Sequence, residues 1–262
     1  MENRYLGRED APISAETWVL LDRIMVEAAK SQLSARRLLP VEGPYGFGLK
    51  AIPLGENVID EGIIGGSSVP LTMIRTEFCI SKWDLAAFER DHLFLDTAPV
   101  SSAAIECAAR EDNVLFFGIS DCAGLLTVKD AETFTLSKWE KIGTAADQII
   151  AAVTKLDDAG FHGPYSMALA PSLYNLLLRR YPQGAGTELD HIRSIVTDGV
   201  VKAPSLQKGG VLLASGKQYA SIVIGQDMVI GFSGPVGDYL EFQVYESFAL
   251  MVRAPRSICV LK

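Results

Sequence analysis

Histidines are the side chains that most readily bind metals or transfer protons near neutral pH. The chain has 262 residues and three histidines, His92, His162 and His191. Each lies in a polar or turn-like stretch, and none has a second type of ligand at the spacing of a metal site. The sequence therefore predicts surface or packing histidines and no metal site.

The sequence offers no clear setting for a nucleophile. It contains no GxSxG elbow, Walker loop or HExxH helix. The run Gly118-Ile119-Ser120-Asp121-Cys122 could house a nucleophile, but a turn that ends a helix explains it equally well. Gly184-Ala185-Gly186 looks like half a dinucleotide fingerprint, yet it follows a predicted helix and not a strand. The carboxylate pairs Glu111-Asp112 and Asp157-Asp158 are interpreted as solvated helix ends. The sequence therefore predicts no catalytic residue and no required cofactor.

Charge and cysteine content restrict the partners. The net charge is −8 and the isoelectric point is about 5.0, whereas nucleic-acid binding requires clustered Lys and Arg. No signal-peptide core follows Met1, and no apolar run reaches the roughly 18 residues of a membrane helix. The cysteines form no CxxC motif and are interpreted as small buried side chains in a reducing cytoplasm; they are Cys79, Cys107, Cys122 and Cys259. We expect a cytoplasmic protein with no nucleic-acid or membrane partner.

Hydrophobic spacing and capping residues predict the helices. The first runs from the cap Ser14 to about Arg37, and the second is opened by Ser81 and Asp84. Further helices are predicted over about 99–117, from a Thr144/Asp147 capping pair to 160, and over 171–181. A strand at 165–170 lies between two of these helices, which indicates an α/β subdomain of about 127–222. The last third is β-rich, with strands at 211–215, 221–224, 229–232, 240–252 and 257–261.

Residues 47–78 differ from the rest of the chain. Their short β-like pieces are interrupted by glycines, at positions 48, 55, 62, 65 and 66. Few large side chains alternate here, so the pattern predicts a long two-stranded arm with little core of its own. Such an arm is stable only when it lies on something else, and a neighbouring copy is the simplest candidate.

Ordered motifs along the whole chain resemble those of family 1 encapsulins, also called linocin-type bacteriocin proteins. The motifs are Val41-Glu42-Gly43-Pro44-Tyr45-Gly46, Pro53-Leu54-Gly55-Glu56, Pro70-Leu71 into Phe78, Trp83-Asp84-Leu85, Phe88-Glu89-Arg90, Gly163-Pro164-Tyr165, Gly225-Gln226-Asp227-Met228 and Glu246-Ser247-Phe248. Each is weak alone, and their shared order carries the resemblance.

The resemblance implies an α+β fold of the tailed-phage major-capsid type, known as the Hong Kong 97 fold. Residues 1–47, 79–126 and 223–262 would form its peripheral domain, 48–78 its extended loop and 127–222 its axial domain. The implied function is that of a shell subunit. Many copies would assemble into an icosahedral hollow nanocompartment around a cargo enzyme, a ferritin-like protein or a dye-decolorising peroxidase, for iron storage or oxidative-stress defence. Two alternatives stay open: a prophage major capsid protein of the same fold, and a free-standing cytoplasmic hydrolase.

Two sites follow from the resemblance. A C-terminal peptide of the cargo would bind on the inner wall, at positions matching Ala29, Leu33, Arg36, Leu39, Met228, Ile230 and Phe232; the apolar members could equally form a seam between helix and sheet. Pro40 stands where relatives often carry an acidic residue, so the polar part of this recognition is expected to differ.

The loop after Tyr181 matches the axial tip that would surround a five-fold pore. Its predicted pore residues are Gln183, Gly184, Ala185, Gly186, Thr187 and Glu188. Glu188 and Asp190 would favour cations, and Glu188→Lys would slow metal entry without stopping assembly. An ordinary loop between helices is the alternative. Trp83 is expected to be a core anchor; if it is exposed, it could stack on a flat ligand such as a flavin.

Overall fold

The computed structural model describes residues 3–120, 122–182, 184 and 186–262. Its α-helices within this range are α1 (Ala15–Lys30), α2 (Lys82–Asp91), α3 (Ala98–Phe117), α4 (Thr144–Asp158), α5 (Pro171–Leu176) and α6 (Glu188–Ile195). Its strands are β1 (Val41–Glu42), β2 (Ala51–Asp60), β3 (Ile63–Pro70), β4 (Thr72–Ser81), β5 (Gly118–Ile119), β6 (Cys122–Ala123), β7 (Glu132–Phe134), β8 (Tyr165–Leu169), β9 (Gly199–Lys202), β10 (Gly210–Ala214), β11 (Ala220–Ile224), β12 (Val229–Val236), β13 (Tyr239–Val252) and β14 (Ile258–Leu261).

The chain divides into two compact units. The first comprises Met1–Leu33, Gly43–Glu111 and Val223–Ala249. The second comprises Ser34–Glu42, Asp112–Ile222 and Leu250–Lys262. This division differs from the predicted domain boundaries at residues 34–42, 112–126 and 250–262, which were predicted in the peripheral domain and belong to the second unit. Strand β14 explains the C-terminal difference, because it lies between β7 and β10 in the sheet of the second unit.

In the first unit, β13 pairs antiparallel with β12 on one side and β4 on the other. The side chains of β4 alternate between buried and exposed, so one face of the sheet is buried. Phe242 is at the centre of the aromatic core: it stacks on Phe78 at 5.3 Å and meets the edge of Trp18 from α1 at 5.7 Å, measured between ring centroids. The hydroxyl of Thr76 donates to the Ala103 carbonyl, which ties β4 to α3.

The capping residues predicted for the first two helices are confirmed, but α1 is shorter than predicted. The Ser14 hydroxyl accepts a hydrogen bond from the Thr17 amide, and Ser81 accepts one from the Asp84 amide. Helix α1 ends at Lys30 and not near Arg37, and a separate 3-10 turn covers Ala35–Arg37.

The predicted arm is present as a hairpin of β2 and β3. The two strands pair from Ala51 with Pro70 to Asp60 with Ile63. The residues that follow belong elsewhere, because β4 pairs with β13 along its full length. The segment predicted as one arm over 48–78 is therefore a hairpin over 51–70 followed by a strand of the sheet.

The second unit is built on a five-stranded mixed sheet in the order β7-β14-β10-β8-β9. Strands β8, β10 and β14 are buried throughout, as expected for strands covered on both faces. Helices α4 and α6 supply the apolar side chains that pack on this sheet, with Ile149, Leu156 and Ile192 fully buried. Helix α5 ends at Leu176, earlier than the predicted Tyr181.

Candidate functional site

Five of the seven predicted cargo-binding residues lie in the first unit. Ala29 and Leu33 pack with Ala108 of α3 in a small buried cluster, against which Met228 is half-buried. Ala29 is 3% exposed, so its side chain supports this surface from beneath. Met228 is the member of this cluster that a ligand can reach.

The other two first-unit residues lie on β12 and differ in exposure. Ile230 is fully buried and forms part of the core. Phe232 is half-buried, lies 5.5 Å from the Phe242 ring, and lines a cleft of ≈ 470 Å³ with Leu85 and Leu240. Ile230 therefore fits the alternative interpretation, in which these residues pack in a seam between helix and sheet. Part of the Phe232 side chain, in contrast, is accessible.

Arg36 and Leu39 belong to the second unit. Leu39 is 4% exposed, and Arg36 is half-buried. Asp112 holds the residues just before them: its carboxylate accepts hydrogen bonds from the amides of Ser34 and Ala35 at about 3 Å and from the Ser34 hydroxyl.

The interpretation of Glu111-Asp112 as a solvated pair is wrong, because both side chains are fully buried. Burial raises the pKa of Asp112, against the lowering effect of its hydrogen bonds and of the Arg37 charge. The carboxylate is an internal cap for the 3-10 turn, which explains why helix α1 does not continue through these residues.

The predicted pore loop is closed at its base by backbone hydrogen bonds. The amide of Glu188 donates to the Arg179 carbonyl at 3.0 Å, and the amide of Tyr181 donates to the Gly186 carbonyl at 3.3 Å. Arg180 and Thr187 form an isolated β-bridge. Gln183 and Ala185, two of the predicted pore residues, lie outside the described residues, whereas Gly184 is exposed at the loop.

Glu188 is not an exposed acid of a pore ring, which corrects the prediction made for it. Its side chain is fully buried and pairs with Arg179 at 3.0 Å. The same carboxylate accepts from the amides of Gly143 at 2.8 Å and Ala145 at 3.2 Å. It therefore caps α4, in place of the predicted Thr144/Asp147 pair, because the N-cap residue is Gly143 and has no side chain to do so.

The exposed acid beside the loop is Asp190. It forms a reciprocal capping box with Thr187 at the start of α6. The hydrogen bonds from Thr187, with that of its backbone amide contributing most, lower the pKa of Asp190. The Thr-x-x-Asp spacing in the sequence indicates the start of a helix. The sequence-based prediction did not use this signal.

The remaining side chains that could take part in chemistry are histidines and cysteines. His162 Nδ1 lies 3.2 Å from Asp157 Oδ1, and His191 Nδ1 lies 3.0 Å from the Tyr181 hydroxyl. Burial raises the pKa of Cys259 to about 11, which disfavours the reactive thiolate. Cys79, however, is exposed, so the prediction of buried cysteines fails for this residue. Across the described residues, no three His, Cys, Asp or Glu side chains are grouped as a metal site would require.

Trp83 is not the core anchor that the sequence predicts. It is 79% exposed on the first turn of α2. Leu85, two residues further on, makes the buried contact of this helix.

The hairpin carries the most exposed apolar side chains outside Trp83 and Phe94. Val58 is 78% exposed and Ile59 is 70% exposed, and Leu54, Ile63 and Ile64 are each more than half exposed. In the described part of the chain, no helix is both long and apolar enough to cross a membrane.

Solved structures that this chain resembles include a virus-like particle and phage capsids. The chain superposes on the virus-like particle of Pyrococcus furiosus with a TM-score of 0.79, covering 95% of this chain and 100% of that one at 18% identity. It superposes on the capsid of the myovirus phage XM1 with a TM-score of 0.57, covering 85% and 88% of the two chains at 13% identity. The α+β fold is thus of the tailed-phage capsid class, as predicted.

Within that class, residues 2–249 match the Linocin_M18 family, described as "Encapsulating protein for peroxidase", and the chain belongs to this family. It is 28% identical over 278 residues to the type 1 encapsulin shell protein EncA of Myxococcus xanthus, covering 98% of this chain and 96% of that relative. The predicted membership of the encapsulin shell family is confirmed. The family consists of structural shell proteins and not of enzymes, in agreement with the prediction that the chain is not an enzyme.

Proposed function

We propose that many copies of this chain assemble into a closed icosahedral particle, an encapsulin nanocompartment, that encloses a cargo enzyme. The observation that carries the proposal is the exposed apolar hairpin of β2 and β3. A two-stranded hairpin is marginally stable alone, and each large aliphatic side chain gains about 1.5–3 kcal/mol when it is fully buried. A neighbouring copy supplies that burial, and closed symmetric contacts leave no hairpin uncovered.

The assembly is tested on the purified chain by size-exclusion chromatography and electron microscopy. We expect elution in the void volume and closed shells of uniform size. Only monomers or dimers, over a wide range of salt and protein concentration, would contradict the proposal. Nucleic acid inside the shells, measured from the ratio of ultraviolet absorbances, would instead favour the prophage-capsid alternative.

The proposed cargo is a peroxidase or a ferritin-like protein, so the proposed role is oxidative-stress defence or iron storage in the cytoplasm. The family description names peroxidase as the encapsulated protein, and the free thiols of Cys79, Cys122 and Cys259 suit a reducing compartment. A C-terminal peptide of the cargo would contact Met228 and Phe232, the accessible first-unit members of the predicted set. Arg36 and Leu39 remain predicted contacts.

Cargo binding is tested with a fluorescent protein that carries the C-terminal tail of a peroxidase or ferritin-like protein encoded beside the shell gene. We expect this fusion to co-elute with the shells, and Met228→Asp to abolish co-elution while shells still form. The matched control is Val236→Asp, which places the same charge at an exposed apolar residue at the far end of β12, the strand that Met228 precedes. Equal loading of the two variants would contradict the proposed contact.

We further propose that the loop after Tyr181 surrounds a pore and that Asp190, not Glu188, supplies its negative charge. Exposure of the Asp190 side chain supports this assignment. Asp190→Lys should slow Fe²⁺ entry into shells loaded with a ferritin-like cargo, whereas Asp158→Lys, an exposed acid at the end of α4, should not. Equal iron uptake in both variants would contradict the assignment.

A further inference from the structure

A polar pocket of ≈ 370 Å³ lies in the first unit, where the N-terminal segment packs on β12. Its walls come from residues 3–9 of that segment, from Asp22 of α1, and from Gln226 and Val229. The last two residues lie on either side of Met228 in the chain, the accessible residue to which the cargo tail is proposed to bind. The pocket therefore adjoins the proposed cargo surface.

Two side chains of this pocket have hydrogen-bond donors to offer. The Asn3 Oδ1 atom accepts from the Tyr5 amide at 3.1 Å, whereas Asn3 Nδ2 is buried and has no hydrogen-bond partner in the described part of the chain. Arg4 is exposed and donates to the Tyr5 hydroxyl at 3.2 Å, which uses one of the five N–H groups of its guanidinium. A buried N–H without an acceptor is unfavourable, so the pocket suits a ligand that accepts hydrogen bonds.

The other charged residues of the pocket define how strong that ligand's charge can be. Arg8 and Asp22 neutralise each other through two hydrogen bonds of 3.0 and 2.7 Å, so this pair contributes little net charge. Glu9 is exposed and lines the pocket, and its carboxylate opposes an anion. The donors of Asn3 and Arg4 therefore suit an acceptor with a single negative charge and not a multiply charged anion such as a phosphate.

We propose that this pocket binds the terminal α-carboxylate of the cargo's C-terminal peptide, with Asn3 and Arg4 as the donors. This inference rests on the proposed cargo binding and adds the group by which the shell recognises the end of the tail. A C-terminal peptide carries a free α-carboxylate, which no internal segment of a protein has. The two oxygens of that group match a guanidinium and an amide N–H, while apolar side chains of the tail lie on Met228 next to the pocket.

Competition between two tails tests the contact. Two fluorescent proteins of different colour carry the tail of the neighbouring cargo gene, one ending at its natural residue and the other extended by a short Gly-Ser segment that moves the carboxylate away. Both are produced together with the shell protein, and the ratio of the two colours is measured in purified shells. We expect the natural tail to exceed the extended tail at least about tenfold. Equal loading of the two tails overturns the proposal.

Shell variants separate recognition of the carboxylate from simple crowding by the extension. Asn3→Asp keeps the acceptor for the Tyr5 amide but replaces the donor by a carboxylate oxygen, and Arg4→Gln removes the positive charge. Both should reduce the colour ratio towards one, Glu9→Gln should raise it, and the matched control Asn175→Asp, at an exposed asparagine of the second unit, should leave it unchanged. A wild-type ratio in both Asn3→Asp and Arg4→Gln overturns the proposal. If wild-type shells load neither tail, the proposed cargo binding itself fails, so the two failures are distinguishable.

Discussion

Replacing Glu188 by Gln should destabilise the second unit although the side chain keeps its size. The native carboxylate is fully buried, pairs with Arg179 and accepts the amides of Gly143 and Ala145. An amide carries no charge and offers one acceptor oxygen, so the Arg179 guanidinium loses its counter-charge. The Gly143 and Ala145 amides share one carboxylate oxygen and Arg179 contacts the other, so the NH₂ group of the substituted side chain faces either the guanidinium or the two backbone amides. The expected change therefore has two sources within a single side chain.

The magnitude follows from these contacts. A hydrogen bond to a charged group contributes about 1.5–3 kcal/mol, and removing one partner of a buried ion pair costs about 3–5 kcal/mol. The Arg179 side chain is 26% exposed, so solvent compensates part of the lost pairing. We expect Glu188→Gln to lower the free energy of unfolding by about 2–4 kcal/mol. Glu188→Lys should be worse, because it places a buried cation beside Arg179 and at the positive end of α4.

The assay combines urea unfolding with hydrogen exchange. Unfolding is compared at one subunit concentration, because assembly raises apparent stability by mass action. Hydrogen exchange of the Gly143 and Ala145 amides should accelerate, because these are the groups that Glu188 satisfies. The control is Asp158→Asn, a substitution at an exposed acid at the other end of α4. Unfolding within about 0.5 kcal/mol of the wild type, with unchanged exchange at both amides, would refute the reasoning.

Three further predictions follow from other contacts. The pKa of Glu42 is lowered, chiefly by the Ser221 hydroxyl and also by Arg253, so its stabilisation is present above pH 4.5 and is lost as the pH falls through the folded-state pKa. Glu42→Gln should therefore lose less stability than the wild type between about pH 5 and pH 3 in urea titrations. Gly43→Ala should cost about 1–3 kcal/mol more in the same assay than Gly46→Ala, because both residues have positive φ but only at Gly43 would a Cβ meet the Ile224 carbonyl. Trp83→Ala should change the unfolding free energy by less than about 0.5 kcal/mol, since the side chain is 79% exposed; a larger loss would contradict that exposure.

The features that the sequence predicted well depend on residues close together in the chain. The caps at Ser14 and Ser81 each act on an amide three residues later, so the capping pattern contains both partners. The long helix predicted over 99–117 is observed over Ala98–Phe117, where a glycine follows its last turn. The C-terminal strands also appear within a few residues of their predicted bounds.

The features that it predicted poorly depend on distant partners. Asp112 caps a turn 78 residues earlier in the chain, and Glu188 caps a helix that begins about 45 residues earlier. A carboxylate beside polar residues has the same local pattern whether it is solvated or buried. The sequence therefore marked Glu188 as a pore acid and Asp112 as a solvated helix end, although both are internal caps.

The hairpin was predictable for a different reason, because the segment lacks the large apolar side chains that a core requires. Between Ala51 and Pro70, glycine punctuation and sparse large side chains leave too little apolar surface to form a core within the chain. Val58, Ile59, Ile63 and Ile64 nevertheless lie near its tip and are exposed, in a segment that has carboxylates and no Lys or Arg. A monomeric protein gains no stability from this combination, since exposed aliphatic residues favour association. The proposed assembly accounts for the pattern, because a neighbouring copy would cover the exposed aliphatic side chains that the chain itself leaves open. Every copy added to a shell would therefore bring one more hairpin and cover that of a neighbour, which is why the segment can dispense with a core of its own.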